Sequence, residues 1–166
     1  MNGLGGAQLQ IRTDDLKGPE IAKLLQAHVD FCRRSSPPES THVLDLEALR
    51  SPAITFWSAW GDGTLLGCAA MKELDPLHGE IKSMHTLAQR RRAGVAVGLL
   101  GYMVEVARSR SYRRLSLETG SMAAFAPARA LYARFGFVTC APFGDYRLDP
   151  NSVFMTLDLG SRSRAD

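Results

Sequence analysis

Three consecutive arginines, Arg90, Arg91 and Arg92, followed by Ala93 and Gly94, are the part of this chain best suited to hold an anion. They separate a strand-like run, Glu80 to Leu87, from a helix-like run, Val95 to Arg110. The first N–H groups of a helix lack partners inside it and lie at the positive end of its dipole. Phosphate binds such an end readily. Arginines add bidentate donors and full charge, and Gly94 lets the backbone approach a ligand without a Cβ in the way. Seven arginines and one acid, Glu105, lie between Arg90 and Arg114, although the net charge is only +3. Such a patch steers anionic ligands. It is not a Walker loop, because no Gly-Lys-Ser/Thr follows, and the glycine triplet of a dinucleotide fingerprint is missing.

The surrounding pattern supplies the elements that must position this turn. Gln8 to Arg12 reads as a short strand. Pro19 to Arg34 reads as an amphipathic helix, with Ile21, Leu24, Leu25, His28, Val29 and Cys32 on one face and Pro19 at its first position. Val43 to Arg50 reads as a short helix stopped by Ser51-Pro52. Ile54 to Trp60, Thr64 to Glu73 and Glu80 to Leu87 form a meander, with a tight hairpin at Gly61-Asp62-Gly63 and a turn at Asp75 to Gly79. After the Val95 to Arg110 helix come a strand, Arg114 to Glu118, and a helix, Ala124 to Phe135, closed by Gly136. Phe137 to Pro142 and Val153 to Leu157 finish the sheet. The order is βααβββαβαββ, an α/β (α+β) arrangement.

The 166 residues predict one domain, residues 1–160, with a frayed tail over 161–166. Hydrophobic residues at 45% and charged residues at 22% are ordinary globular values. No run of 18 apolar residues exists, so no membrane span is expected. Met1 to Gln8 lacks the order of a signal peptide. Cys32, Cys68 and Cys140 are scattered and odd in number, which points to reduced thiols in a cytoplasmic protein. His28, His42, His78 and His85 show no metal-ligand spacing, so no metal is expected.

Arg91-x-x-Gly94-x-Ala96 resembles the Arg/Gln-x-x-Gly-x-Gly/Ala signature of the GCN5-related N-acetyltransferases (GNAT), whose loop amides hold the pyrophosphate of acetyl-coenzyme A. Leu131-Tyr132-Ala-Arg-Phe-Gly136-Phe137 resembles the family's fourth-helix motif, Leu-Tyr-x-x-x-Gly-Phe. The resemblance covers nearly the whole chain. It implies a mixed, mostly antiparallel twisted sheet of about six to seven strands flanked by about four helices. Pro142 to Tyr146, Asp149 to Met155, Leu44 to Leu46 and Ile54 to Trp57 also look like a bacterial subgroup of small-molecule N-acetyltransferases.

The resemblance implies acetyl-CoA as acetyl donor, without a metal. Its cofactor contacts would come from Met84, His85 and Thr86 on the strand, Arg91, Arg92, Ala93, Gly94, Val95 and Ala96 on the loop and helix start, and Pro127. The family splays that strand from the next by a bulge, a feature this sequence does not display. Arg92 stands where the family commonly has glycine. Phe125 stands seven residues before Tyr132, where an asparagine often binds the cofactor, and Pro127 alters the helix start.

An acetyl thioester is already activated. The enzyme must hold both reactants, deprotonate the amine, stabilise the oxyanion and protonate the thiolate. Glu80 stands fourteen residues before Gly94, the family's spacing for a catalytic strand glutamate, and is the expected base. It is also a strand glutamate that could simply pair with Lys82. Glu118, which could pair with Arg114, and His85 compete for the role, as does water. Tyr132 is the expected general acid; the same ring could serve only as packing.

The acceptor is expected to be a small-molecule amine, with a protein N-terminus or lysine also open. It should touch Phe31, His42 to Leu46 and Phe143 to Tyr146. Asp45 and Asp145 could attract a cationic amine or could cap a helix or turn. A non-catalytic acyl-CoA-binding or regulatory module with the same fold is the alternative. Nucleic acid ranks below coenzyme A because few aromatic residues accompany the arginines. A homodimer through the last strands stays open.

Overall fold

The computed structural model describes residues 9–87 and 94–160. Gln89, Arg90, Arg91, Arg92 and Ala93 of the basic turn therefore lie outside the described residues, as do Gln8 and the tail. A seven-stranded sheet in the order β1-β2-β3-β4-β5-β7-β6 organises the chain. Its strands are β1 (Gln10–Thr13), β2 (Ile54–Gly61), β3 (Thr64–Asp75), β4 (His78–Thr86), β5 (Arg114–Gly120), β6 (Val138–Cys140) and β7 (Ser152–Asp158). All neighbours pair antiparallel except β4 and β5. The helices are α1 (Pro19–Ser35), α2 (Leu46–Leu49), α3 (Val95–Ser109) and α4 (Ala126–Arg134).

The elements follow the expected pattern with differences at their ends. The β2–β3 hairpin turns on Asp62 and Gly63, both at positive φ, as a two-residue hairpin requires. β3 runs on to Asp75, so the next turn shrinks to Pro76-Leu77 and β4 starts at His78, two residues before the expected Glu80. The short second helix begins only at Leu46, because Asp45 caps it: its carboxylate accepts the Ala48 N–H at 2.8 Å. Ala123–Phe125 is a 3-10 turn, and α4 begins at Ala126. Pro127, with no N–H to donate, suits that first turn. Gly136, at φ 96°, closes α4, and the Phe137 N–H reaches back to the Tyr132 carbonyl at 3.1 Å.

Alternation along the strands sends side chains to two cores. Phe56, Cys68 and Ala70 face Ile21, Leu24 and Leu25 of α1 and Leu49 of α2. Trp57, Ala69, Met71 and Ile81 face Leu99, Leu100, Met103 and Ala107 of α3, where Tyr132 and Phe137 also pack.

Two irregularities in the middle of the sheet matter most. β4 pairs with β5 only over His78–Ile81 against Arg114–Leu117. Beyond that, β5 keeps its ladder with β7 and β4 keeps its ladder with β3, so the two parallel strands part. In the β3–β4 register, Cys68 faces His85 but Ala70 faces Lys82. Ala69 thus opposes both Ser83 and Met84, a bulge centred on Ser83 at φ 53°. The extra residue increases local twist and turns β4 away from β5.

Candidate active site

The opening between β4 and β5 is a cleft of about 150 Å³ lined by Glu80, Lys82, His85, Glu118, Tyr132 and Tyr146, among others. It continues on one side into a groove of about 520 Å³. That groove is bounded by Met84, His85 and Thr86 of β4, Gly94 and Ala96 at the start of α3, and Pro127 and Tyr132 of α4. On the other side it meets a groove of about 720 Å³ bounded by Lys72, Glu80, Lys82 and the loop Gly144 to Asn151. Tyr132 is common to the cleft and the first groove, and Glu80 to the cleft and the second.

Glu80 and Lys82 share one face of β4 because strand side chains alternate with period two. Glu80 is only 3% exposed. Its Oε2 accepts hydrogen bonds from Tyr146 Oη at 2.6 Å and Lys82 Nζ at 3.3 Å. Lys82 Nζ also donates to Tyr146 Oη at 2.9 Å, closing a three-membered ring of bonds. Tyr146 is held by edge and tilted contacts with His42, Phe143 and Phe154. Burial, then the charge and hydrogen bond of Glu80, push its phenol well above the ordinary range. Glu80 is therefore neither an exposed strand glutamate nor merely one half of an ion pair.

Glu118, across the opening, forms no ion pair with Arg114 among the described residues; Arg114 Nε donates to Thr156 Oγ1 at 3.3 Å. Burial pushes the Glu118 carboxyl up, opposed by His42 and Lys82 and reinforced by Glu80. His85 Nδ1 and His28 Nδ1 are 3.1 Å apart, so one donates and the other accepts. Burial, then the charge of His85, lowers His28 to about 3. Its Nε2 lies 3.9 Å from Cys32 Sγ, and burial raises that thiol to about 11.

Tyr132 is 7% exposed and packs against Phe137 at 5.9 Å. Burial, then Glu118 and Cys32, raise its phenol, so the proton stays on at neutral pH. Gly94 sits at φ 78°, ψ 9° as the N-cap of α3 without a side-chain cap. An added Cβ there would touch nothing within 4 Å. The glycine therefore answers to backbone conformation rather than crowding. Val95 turns its side chain into the core, at 2% exposure. Phe125 meets Phe31 edge-on at 5.4 Å and leaves no room for a Cβ at Gly120.

The structure thus brings Met84, His85, Thr86, Gly94, Ala96, Pro127 and Tyr132 to one groove, and puts Glu80 at the far side of the same opening. Arg91, Arg92 and Ala93 cannot be placed with them, being outside the described residues. Sequence reasoning gave Tyr146 only as a residue near the acceptor and did not link it to Glu80. Tyr146 stands 66 positions from Glu80, and no local pattern joins the two.

The sheet and its opening agree with what this chain is similar to. A family model described as the acetyltransferase (GNAT) family matches residues 21–137. Over 151 residues the chain is 56% identical to the "Uncharacterized N-acetyltransferase YsnE" of Bacillus subtilis (strain 168), covering 91% of this chain and 100% of that protein. It is 48% identical to the "Uncharacterized N-acetyltransferase YedL" of Escherichia coli (strain K12), over 90% of this chain and 94% of that one. An "IAA acetyltransferase" of Azospirillum brasilense is 38% identical, over 74% and 80% of the two chains. Among solved structures, a candidate acyl-CoA N-acyltransferase of Klebsiella pneumoniae superposes with TM-score 0.74 at 27% identity, covering 93% of this chain and 99% of that one. A GNAT acetyltransferase of Elizabethkingia anophelis with acetyl-CoA bound shares the fold, with TM-score 0.67 at 17% identity and 91% and 98% coverage. With its family model spanning most of the sequence and relatives matched almost end to end, the chain belongs to the GNAT family of acetyltransferases.

Proposed function

We propose that this protein is an acetyl-CoA-dependent N-acetyltransferase that passes an acetyl group directly to a primary amine in a ternary complex, with residues 1–160 acting as one catalytic domain. The observation that carries this reading is the opening between β4 and β5, which connects the groove at the start of α3 with a buried carboxylate. The acetyl-CoA-bound relative supports the choice of donor.

In this reading the phosphates lie at the N-terminus of α3, where Gly94 opens the first turn and the preceding arginines add charge. The pantetheine arm runs along Met84 to Thr86, where the parting of β4 from β5 leaves backbone groups facing the groove. The thioester reaches the cleft beside Tyr132. Glu80, directly or through water, takes a proton from the ammonium. The amine lone pair attacks the thioester carbon, a C–N bond forms and the C–S bond breaks. Tyr132 gives its proton to the departing sulfur, and the nitrogen loses its second proton as the amide forms. Acetyl-CoA and ammonium thus become amide, coenzyme A thiol and one released proton. Proximity supplies much of the rate, since two reactants held together react as one.

The test is thiol release from acetyl-CoA across an amine library, with Glu80→Gln in parallel. Wild type should release thiol only with an acceptor present. Its kcat/KM should rise with pH through ionisation of the base, and the variant should lack that limb on the same acceptor. An identical profile at undiminished rate moves the base role to Glu118, His85 or water. Binding of acetyl-CoA with no transfer to any amine favours the non-catalytic module.

A further inference from the structure

The proposed base has a cation for a neighbour, and that bears on which amines the site takes. Lys82 and Glu80 are both largely buried, with side chains 10% and 4% exposed. Lys82 spends two of its three N–H bonds on Glu80 and Tyr146, and both bonds received by Glu80 fall on Oε2. Among the described residues, one ammonium hydrogen and Oε1 therefore remain for a ligand. Lys72 stands directly across the β3–β4 ladder from Glu80, on the same face of the sheet, and lines the same groove. Arg147 and His42 line it too. Apart from Glu80 itself, Glu39 and Asp145 are the acids of this groove that bind no turn, and both are exposed, whereas Lys72 and Lys82 are partly buried. Asp149 keeps its charge but is turned onto its own loop, where it accepts the Asn151 N–H at 2.8 Å. Charges withdrawn from water are screened least, so the partly buried cations weigh more than the exposed acids.

A plain alkylammonium brought to Glu80 would set a second positive charge beside Lys82. Glu118 lines the cleft but not the groove that holds Lys72. An acceptor that carries a carboxylate one or two carbons from its amine turns this repulsion into attraction. Its nitrogen meets Glu80 Oε1 while its carboxylate meets Lys82 Nζ, with Lys72 behind. We infer that the acceptor is an amino acid, recognised through its carboxylate by Lys82. The inference rests on the N-acetyltransferase reading and on the Glu80 side being the acceptor side.

Matched acceptors test it on the intact enzyme at saturating acetyl-CoA. Each standard L-amino acid, its D form and β-alanine are compared with the corresponding amide and decarboxylated amine. In at least one set, the acid should exceed both partners in kcat/KM by about tenfold or more, mainly through KM. Lys82→Met should bring that ratio close to one, and Lys82→Arg, which keeps the charge, should retain most of it. Thermal melting checks that both variants fold, and the wild-type ratios stand without either. Transfer to amines or amides but to none of the acids overturns the inference while leaving N-acetyl transfer intact. So does an acid preference that survives in folded Lys82→Met. Transfer to nothing in the panel overturns the acceptor class. The fate of the broader reading is then decided separately by the wider amine library.

Discussion

Tyr146 Oη donates to Glu80 Oε2 at 2.6 Å, across 66 positions of sequence. The bond ties the loop between β6 and β7 to the strand that opens the sheet. Lys82 joins the same two atoms, so the carboxylate is oriented from two sides before any acceptor arrives. A hydrogen bond to a charged group contributes about 1.5–3 kcal/mol. That is enough to decide the direction in which a single carboxylate points.

Tyr146→Phe keeps the ring contacts with His42, Phe143 and Phe154 and deletes only this donor. If the bond persists in the transition state, kcat/KM should fall by roughly tenfold to a hundredfold, since about 1.4 kcal/mol is a factor of ten. The same change in a Glu80→Gln background should cost far less, because the two residues act as a unit. Equal losses in both backgrounds would show that Tyr146 works without Glu80.

The contrast between Tyr132 and Tyr146 shows what the sequence could disclose. Tyr132 and Gly136 lie on one helix and its cap, and Gly94 stands at a strand–helix junction, so their places follow from local pattern. Tyr146 lies in a loop whose path has no periodicity, and its meeting with Glu80 depends on β7 lying between β5 and β6. Nothing in the run of strands specifies that insertion. The bulge at Ser83 is equally hidden, because a bulge is defined by counting residues against the partner strand. Asp45 was readable either as a lure for an amine or as a cap, and its bond to the Ala48 N–H makes it a cap. The phosphate-binding expectation rests largely on Arg91 and Arg92, outside the described residues.

His28 gives a pH prediction independent of catalysis. Its folded value is lowered from 6.5 to about 3, first by burial and then by His85. A histidine that folds neutral stabilises the fold above its unfolded value, and loses that contribution as pH falls from 6.5 toward 3. The melting temperature should therefore decline over that window. His28→Gln, which cannot charge, should flatten the decline while leaving in place the contribution of Asp149, whose carboxyl is held low by its hydrogen bonds. Parallel pH–melting curves for wild type and variant would remove His28 as a cause.

The last prediction concerns Tyr132, whose two roles the geometry keeps apart. As packing, its ring contributes through Phe137 and the α3 core. As an acid, only its hydroxyl proton counts. Tyr132→Phe should melt close to wild type and bind acetyl-CoA with little change, while kcat falls roughly 10²-fold or more. The raised phenol also fixes a sign: the group remains protonated through and beyond the ordinary tyrosine range. Wild-type kcat should therefore show no alkaline loss from Tyr132 below about pH 10, the usual phenol value. A leaving-group test separates the roles further. Acetyl donors whose thiols have low pKa values need no proton at departure, so the Phe variant should lose least with them and most with acetyl-CoA. A uniform loss across donors would assign the whole effect to packing, and the sulfur would then take its proton from solvent.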